Sequence, residues 1–288
     1  MKSRSSGKND GEDDQQRLAV LIDADNAQPS AIEGLLAEVA KYGVASVKRI
    51  YGDFTSTRMT QWKKVLLKHS IQPVQQFAYT SGKNATDSSL IIDAMDLLYT
   101  HRFDGFCLVS SDSDFTRLAQ RLREEGQTVY GFGERKTPDA FVQACDKFIY
   151  TEVLRSGAQD SDGETEAGGK AKPVKKSPAK KATSGGTGRG KQEAGTDDGN
   201  ARNGKSAEPL PLELLRQAIE DASDDQDWAF LGAVGSYLNK VRPDFDPRLY
   251  GHKKLSDLFK YQPRYFELQE RSRDGSNTKH FYVRSRDA

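Results

Sequence analysis

The chain has 288 residues, enough for two domains of ordinary size, and its formal net charge is only +1. Any affinity for nucleic acid must therefore come from local basic patches, because the surface as a whole is not basic. The sequence has no apolar run of about 18 residues, so no membrane-spanning helix is expected. Its 2 cysteines and 4 histidines have neither disulfide nor zinc spacing, and we expect a cytoplasmic location.

Residues 1–16 are polar and lack the apolar core of a secretion signal, so we expect a disordered arm there. From residue 17 to residue 155, apolar runs alternate with amphipathic segments. The apolar runs begin near Leu18, Val47, Ile71, Gly105, Thr128 and Lys147, and the predicted helices cover about 29–41, 58–69, 86–100, 114–125 and 138–144. Continuous apolar strands that alternate with helices are typical of a parallel sheet covered on both faces. The sequence therefore predicts an α/β domain over residues 17–155.

Acidic residues follow two of the predicted strands. The segment LAVLIDADN brings Asp23 and Asp25 to the end of the first strand, and GFCLVSSDSDF brings Asp112 and Asp114 to the end of the fourth. In a doubly wound sheet of order 3-2-1-4-5, these two strands are neighbours at the switch point where ligands bind. We therefore expect these carboxylates to meet at one edge of the sheet.

The helix that begins near residue 86 adds a further acidic side chain. Asp87 falls on the same face of this helix as its apolar residues, whereas Asp93 and Asp96 fall on the opposite face. That apolar face consists of Leu90, Ile91, Ala94, Leu97 and Leu98. We expect Asp87 to face the sheet, with Asp93 and Asp96 in solvent. The alternative for Asp87 is a capping role after Thr86 or Asn84.

Several carboxylates that converge from distant parts of a chain repel one another unless a cation lies between them. Oxygen ligands suit Mg²⁺ or Mn²⁺, and such ions support hydrolysis of phosphodiesters. A turn role for Asp23 and an N-cap role for Asp112 or Asp114 are the alternatives. No organic cofactor is expected.

Polar residues beside these aspartates are candidates for contacts with substrate. Asn26 is placed to orient a carboxylate or to contact phosphate, and Ser111 precedes the second acidic pair. Lys83 and Asn84 lie just before Asp87, where a phosphate could meet them. An ordinary polar loop is the alternative for Lys83 and Asn84.

Residues 156–208 differ in kind from the rest of the chain. They contain no aromatic residue and a single large aliphatic residue, Val174, so we expect a flexible linker. Six lysines lie between Lys170 and Lys181. They indicate either a solvated spacer or a non-specific contact with nucleic-acid phosphates.

Residues 209–288 are expected to form a small α+β domain. The segments LELLRQAIEDA, WAFLGAVGSYLNKV and RLYGHKKLSDLFKY predict three helices, and YFELQER and KHFYVRS predict two strands around the turn RDGSNT. Three helices followed by a hairpin are typical of a winged helix. Residues 213–227 carry six acidic residues and one Arg, whereas residues 248–286 carry ten basic and four acidic residues, so one face is expected to be basic.

The motifs LIDADN, KNATD and SSDSDF resemble those of the NYN domain, a PIN-like nuclease with a Rossmann-like parallel sheet, in its LabA-like branch. The resemblance implies a metal-dependent ribonuclease with Asp23, Asp87, Asp112 and Asp114 as metal ligands and catalytic residues. Ser111 stands where the family usually has Gly.

The segment PDFDPRLYGHKKLSDLFKYQPRYFEL resembles the LOTUS, or OST-HTH, domain. That resemblance implies a winged helix that binds RNA or a protein partner, and Lys253 and Lys254 are candidates for RNA contacts.

Two other functions fit the sequence. A phosphatase of the haloacid dehalogenase type also begins with a strand that ends in D-x-D, but Asn26 and Ala27 depart from its usual continuation. A non-catalytic RNA-binding adapter would have the same folds, with structural acids.

Overall fold

The computed structural model describes residues 15–77, 85–157, 209–272 and 279–286. The first domain consists of β1 (Arg17–Asp23), α1 (Ile32–Val39), β2 (Val44–Gly52), α2 (Trp62–His69), β3 (Gln72–Gln75), α3 (Ala85–Tyr99), β4 (Gly105–Val109), α4 (Thr116–Glu124), β5 (Thr128–Gly133), α5 (Asp139–Ala144), β6 (Lys147–Tyr150) and α6 (Thr151–Gly157). Single 3-10 turns, at Pro29–Ala31, Thr57–Gln61 and Ser113–Phe115, lead into α1, α2 and α4.

The six strands form one parallel sheet in the order β3-β2-β1-β4-β5-β6. This confirms the predicted doubly wound arrangement, with β1 beside β4. Alternate side chains of β1 enter two different cores, Leu21 on one face of the sheet and Val20 on the other. Burial on both faces explains why the strand sequences are continuously apolar.

The predicted elements of this domain agree with the structure except at some boundaries. Strand β2 begins at Val44, three residues before the predicted start at Val47. Helix α6 continues to Gly157, past the predicted domain boundary at residue 155. The predicted arm, apart from residues 15 and 16, and the predicted linker beyond Gly157 lie outside the described residues.

The C-terminal domain consists of α7 (Leu212–Ala222), β7 (Ala229–Phe230), α8 (Leu231–Val241), a 3-10 turn (Pro247–Tyr250), α9 (Leu255–Lys260), β8 (Phe266–Ser272) and β9 (Lys279–Ser285). Its sheet is antiparallel, in the order β7-β9-β8. Helices followed by a hairpin confirm the predicted architecture. The predicted turn between the last two strands lies outside the described residues.

Two predictions for this domain were wrong in detail. The predicted third helix is divided, because Gly251 adopts a left-handed conformation with φ of 83° after the 3-10 turn. Asp246 starts that turn by accepting a hydrogen bond from the N–H of Arg248. The predicted second helix begins at Leu231 and not at Trp228, because Ala229 and Phe230 pair with β9 as a short strand.

The two domains contact one another along the outer edge of β6. The backbone N–H of Phe148 donates a 2.9 Å hydrogen bond to the carbonyl of Pro243, and the Tyr150 hydroxyl donates to Asp244 at 3.0 Å. An exposed strand edge carries unpaired backbone groups that favour aggregation. The C-terminal domain therefore covers part of an edge that would otherwise be open.

A buried ion network lies at the same domain junction. The guanidinium of Arg248 binds both carboxylate oxygens of Glu38, at 2.9 and 3.2 Å, and also binds Asp246. Lys41 and Tyr42 donate further hydrogen bonds to Glu38, which is only 4% exposed. A buried carboxylate with this many partners holds the two domains in a defined relative position.

No helix in the described part of the chain combines the length and the apolar character that a membrane crossing requires.

Candidate metal centre

Asp23 ends β1 and is completely buried at the edge of the sheet. One carboxylate oxygen accepts from the backbone N–H of Asp25 at 2.9 Å. The other accepts from the amide of Asn26 at 2.8 Å and from the hydroxyl of Ser110 at 2.7 Å. Burial raises the pKa of Asp23 above its ordinary value, although these hydrogen bonds lower it.

Three further aspartates meet beside Asp23. Asp87, Asp112 and Asp114 each bring one carboxylate oxygen into a group whose members all lie within 4.8 Å of one another. Asp87 and Asp112 are half-buried, and Asp114 is exposed. Asp87 comes from the first turn of α3, whereas Asp112 and Asp114 follow β4. The structure thus brings together carboxylates from two separate motifs, and Asp23 of the first motif acts on Asp87 as a neighbouring negative charge without being a member of this group.

The local backbone explains how Asp112 and Asp114 are held. Asp112 caps the short 3-10 turn after β4, and its side chain accepts a 3.0 Å hydrogen bond from the N–H of Asp114. The N–H of Asp112 in turn donates to the hydroxyl of Ser110 at 3.1 Å. The capping alternative for Asp112 is therefore correct, and it does not exclude a ligand role, because the cap uses one of the two carboxylate oxygens.

The cluster is electrostatically unfavourable without a cation. Burial, followed by the negative charges of Asp23, Asp112 and Asp114, raises the pKa of Asp87 to about 6. Asp25 contributes to the same effect. At neutral pH this carboxyl is mostly ionised, and a cation bound nearby would compensate its charge and lower its pKa.

The polar residues predicted beside the cluster have different environments. Asn26 orients the Asp23 carboxylate, which is one of the two roles predicted for it. The hydroxyl of Ser111 is buried and accepts from the N–H of Glu134 at 2.8 Å, so it ties β4 to the segment after β5. Lys83 and Asn84 lie outside the described residues. A contact of any of these four with substrate stays a prediction.

Lys253 and Lys254 are exposed and immediately precede α9 of the C-terminal domain. They belong to a different domain from the acidic cluster, so the structure does not bring all the predicted site residues to one place. Their predicted contact with RNA stays a prediction.

The expectation that Asp93 lies in solvent was wrong. Its carboxylate is half-buried and accepts hydrogen bonds from the guanidinium of Arg49 and the hydroxyl of Tyr51. Tyr51 pairs with Asp23 across β1 and β2, so this contact fixes α3 against the sheet close to the cluster. Helical periodicity placed Asp93 away from the apolar face but could not show that β2 supplies partners there. Asp96 is exposed, as expected.

Thr86 makes a hydrogen bond near the cluster that the sequence did not indicate. Its hydroxyl donates to the Asp25 carboxylate at 3.3 Å and so joins the start of α3 to the end of β1. Because Thr86 precedes Asp87, this bond helps to position Asp87 at the cluster.

Comparison of the sequence with known domain families identifies both domains. The NYN domain family matches residues 17–154, and the OST-HTH/LOTUS domain family matches residues 209–278. The chain is an NYN domain protein with a C-terminal OST-HTH/LOTUS domain. The resemblances to the two domain families are thereby confirmed, the LabA-like branch stays a prediction, and the six-stranded parallel sheet fits the PIN-like α/β fold.

Three solved structures are similar to parts of the NYN–LOTUS chain. An uncharacterized protein of Nitrosomonas europaea is 41% identical, with 34% of this chain and 93% of that chain covered and a TM-score of 0.29. A protein of unknown function from Vibrio parahaemolyticus is 19% identical, with coverages of 49% and 95% and a TM-score of 0.41. A protein of Chromobacterium violaceum is 35% identical, with coverages of 28% and 86% and a TM-score of 0.23. No curated protein matches the sequence.

Proposed function

We propose that the NYN domain is a metal-dependent endoribonuclease that cuts single-stranded or structured RNA. The observation that carries the proposal is the convergence of Asp87, Asp112 and Asp114 within 4.8 Å, beside the buried Asp23, in a domain of a nuclease superfamily. The C-terminal LOTUS domain supports RNA as the substrate. We also propose the LabA-like branch and a cytoplasmic location.

The acidic cluster fits Mg²⁺ or Mn²⁺ by its donor set. Its ligand atoms are carboxylate oxygens, which hard divalent cations prefer, and the raised pKa of Asp87 reflects negative charge that a cation would compensate. Asp87, Asp112 and Asp114 would hold the ion, with Asp23 as a further ligand. The bound ion would supply activation of water and compensation of charge on the scissile phosphate.

The residues of the chain itself keep this site in order. Ser110 and Asn26 fix the Asp23 carboxylate, and the hydrogen bond to Asp114 fixes that of Asp112. Fixed carboxylates lose little entropy when an ion binds, so the site is preorganised. With both cysteines buried, these groups favour water over a side chain as the nucleophile.

Cleavage of labelled RNA tests the proposal. Wild type should cut single-stranded RNA with Mn²⁺ or Mg²⁺ and not with EDTA, and the products should carry 5′-phosphate and 3′-hydroxyl ends. Products with 2′,3′-cyclic phosphate ends would contradict the role of water, because they require attack by the ribose hydroxyl. Asp112→Asn should abolish cleavage, whereas Asp96→Asn, an exposed aspartate of α3, should leave it unchanged.

A non-catalytic RNA-binding adapter is the second candidate. Its supporting observation is that Asp23 already has three hydrogen-bond donors within the protein, as a purely structural aspartate would. RNA that is bound but stays intact with Mn²⁺ would favour this candidate. The phosphatase alternative has no support, because the matching family is the NYN domain.

We consider two kinds of binding partner for the LOTUS domain. RNA is the favoured partner, with Lys253 and Lys254 as candidate phosphate contacts, and a protein partner is the alternative. Removal of phosphate contacts should lower the dependence of RNA affinity on salt. Double replacement of Lys253 and Lys254 by Ala should therefore reduce the salt slope of binding, and an unchanged slope would exclude these two lysines.

A further inference from the structure

One face of the small C-terminal sheet carries aromatic and arginine side chains. Side chains alternate along β9, so His280, Tyr282 and Arg284 lie on the face opposite to the hydrophobic core. The register of the sheet places Arg271 of β8 opposite His280, and Phe230 of β7 opposite Tyr282. The outer face of the three strands thus carries rings and guanidinium groups, together with Glu267 and Gln269 of β8.

These side chains contact one another: the two guanidinium groups lie over aromatic rings, whereas the Phe230 ring is tilted against Tyr282 and meets His280 edge-on. The guanidinium carbon of Arg271 lies 4.6 Å from the ring centre of Tyr282 and 4.8 Å from that of Trp228. Arg284 also lies 4.8 Å from the Trp228 ring, and Phe230 lies 5.8 Å from Tyr282. We call this set the stacked row: Arg284, Trp228, Arg271, Tyr282, Phe230 and His280.

The side chains of the stacked row do not pack in the hydrophobic core of the domain. The core lies on the other side of the sheet, where Val283, Leu268 and Phe266 pack. Phe230 is 42% exposed and reaches His280 at 5.7 Å on the same outer face. A single exposed ring is common on protein surfaces, but this one adjoins other rings and two arginines, and such a combination offers a surface on which a flat ligand can stack.

Single-stranded RNA is the ligand whose chemistry matches such a row. Every base has a flat face that stacks on aromatic rings or on guanidinium planes, whatever its sequence. Arg271 donates to Gln269 at 2.9 Å and Arg284 to Glu267 at 2.8 Å, and each guanidinium has further N–H groups that can bind phosphate oxygens or base edges. The charge of the face agrees, because among the described residues Arg271 and Arg284 of the row face one carboxylate there, that of Glu267.

We propose that the stacked row binds the unpaired bases of single-stranded RNA, with Phe230 as an open stacking platform. This inference rests on the proposed function in one respect, that RNA is the ligand of the chain. It differs from the earlier prediction for Lys253 and Lys254, which contact phosphates and belong to another surface.

That other surface provides a matched control within the same domain. Tyr261 stacks on His252 with ring centres 5.6 Å apart, and it is 68% exposed. It neighbours Lys253 and Lys254 through His252 but is not part of the stacked row. Replacement of Tyr261 therefore removes an exposed ring of similar size without touching the outer face of the sheet.

Binding of the full chain to labelled oligouridine, in EDTA so that no cleavage occurs, tests the proposal. Phe230→Leu keeps an apolar side chain but no ring, and it should lower the affinity on the order of tenfold. Phe230→Tyr should bind like wild type. Tyr261→Leu should leave the affinity unchanged. Because Phe230→Leu removes no phosphate contact, the salt slope of binding should stay the same.

Two further measurements guard against a loss that comes from unfolding. Arg271→Lys keeps the charge but loses the guanidinium plane, and it should also weaken binding several-fold. An abasic ribose–phosphate oligomer of the same length should bind wild type more weakly than oligouridine does. The abasic oligomer should bind wild type and Phe230→Leu with the same affinity.

The proposal is overturned if Phe230→Leu and Arg271→Lys bind oligouridine like wild type, or if wild type binds the abasic oligomer equally well. A loss confined to Tyr261→Leu would assign RNA to the α9 surface instead. These outcomes are independent of catalysis. Wild type that cuts RNA while Phe230→Leu binds normally refutes the stacked row alone. RNA that is bound through the row but never cut refutes the nuclease alone.

Discussion

At the scale of single residues, Asp87 is the side chain whose charge is least compensated within the cluster. Burial and the neighbouring aspartates raise its pKa to about 6, so at neutral pH its ionised form destabilises the metal-free protein. Asp87→Asn should therefore raise the stability in EDTA at pH 7.5 by about 1 kcal/mol, a modest value because solvent screens a half-buried group. Thermal unfolding measures this.

The same variant should lose its response to metal. Mn²⁺ should raise the melting temperature of wild type, because a ligand that binds the folded state stabilises it, and should raise that of Asp87→Asn much less. The gain in EDTA should fall as pH drops below about 6 and vanish well below the ordinary value of 3.8, where the Asp87 carboxyl is protonated in both states. Asp96→Asn is the control on the same helix. Equal metal shifts for wild type and Asp87→Asn would contradict the ligand role.

Asp23 behaves differently, because its carboxylate accepts hydrogen bonds on both oxygens. An amide has one accepting oxygen, so Asp23→Asn would turn its NH₂ group toward Ser110 and Asn26 or toward the N–H of Asp25. A buried donor that faces another donor costs about 1–3 kcal/mol. Urea denaturation in EDTA should show this loss, and Asp25→Asn, at an exposed position, should be nearly neutral. Equal stability of Asp23→Asn and wild type would show that the site relaxes.

At the scale of elements, the sequence predicts the features that follow from hydrophobic periodicity and misses those that depend on contacts with distant parts of the chain. The strand order and the meeting of Asp87 with Asp112 follow from apolar runs and helix geometry. The burial of Asp93 was not predictable, because Arg49 and Tyr51 come from a strand more than forty residues away. The sequence indicates part of the stacked row, because alternate residues of KHFYVRS are polar or aromatic side chains of one strand face. Its completion by Trp228 depends on β7, which was predicted as helix.

The division of the predicted third helix depends on one glycine. Gly251 has a φ of 83°, a conformation that side chains with a Cβ atom rarely adopt. Gly251→Ala should destabilise the full chain by about 1 kcal/mol in urea denaturation. Gly235→Ala is the matched control, because Gly235 lies within α8 and an added Cβ would meet only Leu255, at 3.4 Å. It should be neutral or stabilising, and an equal loss for both variants would exclude the conformational cause.

At the scale of the whole molecule, the sequence predicts two domains on a tether, whereas the structure joins them at β6. No local pattern could indicate this junction, since Glu38 and Arg248 are 210 residues apart in the chain. The contact has a consequence for RNA binding. It fixes the LOTUS domain relative to the acidic cluster, so RNA held by the LOTUS domain would reach the nuclease site in a restricted set of positions.

A nicked chain tests the strength of this junction. With a protease site placed within residues 158–208, the two halves should stay together in gel filtration after cleavage, because the contacts at Phe148, Tyr150 and Glu38 remain. Arg248→Ala should separate them, since it leaves Glu38 buried without its bidentate partner, at a cost of about 2 kcal/mol for a partly exposed pair. Arg264→Ala, an exposed arginine of the same domain, is the control.

The pH dependence of the nicked complex identifies the responsible group. Burial raises the pKa of Glu38, but hydrogen bonds from Arg248 and Lys41 outweigh it and hold the pKa below the ordinary value of 4.5. A lowered carboxyl pKa gives stability that is present above the ordinary value and is lost as pH falls through the lowered one. The halves should therefore stay joined at neutral pH and separate only in acid, at a pH below the ordinary value of 4.5. Glu38→Gln should remove this acid step, and an unchanged step would mean that another carboxylate controls the junction.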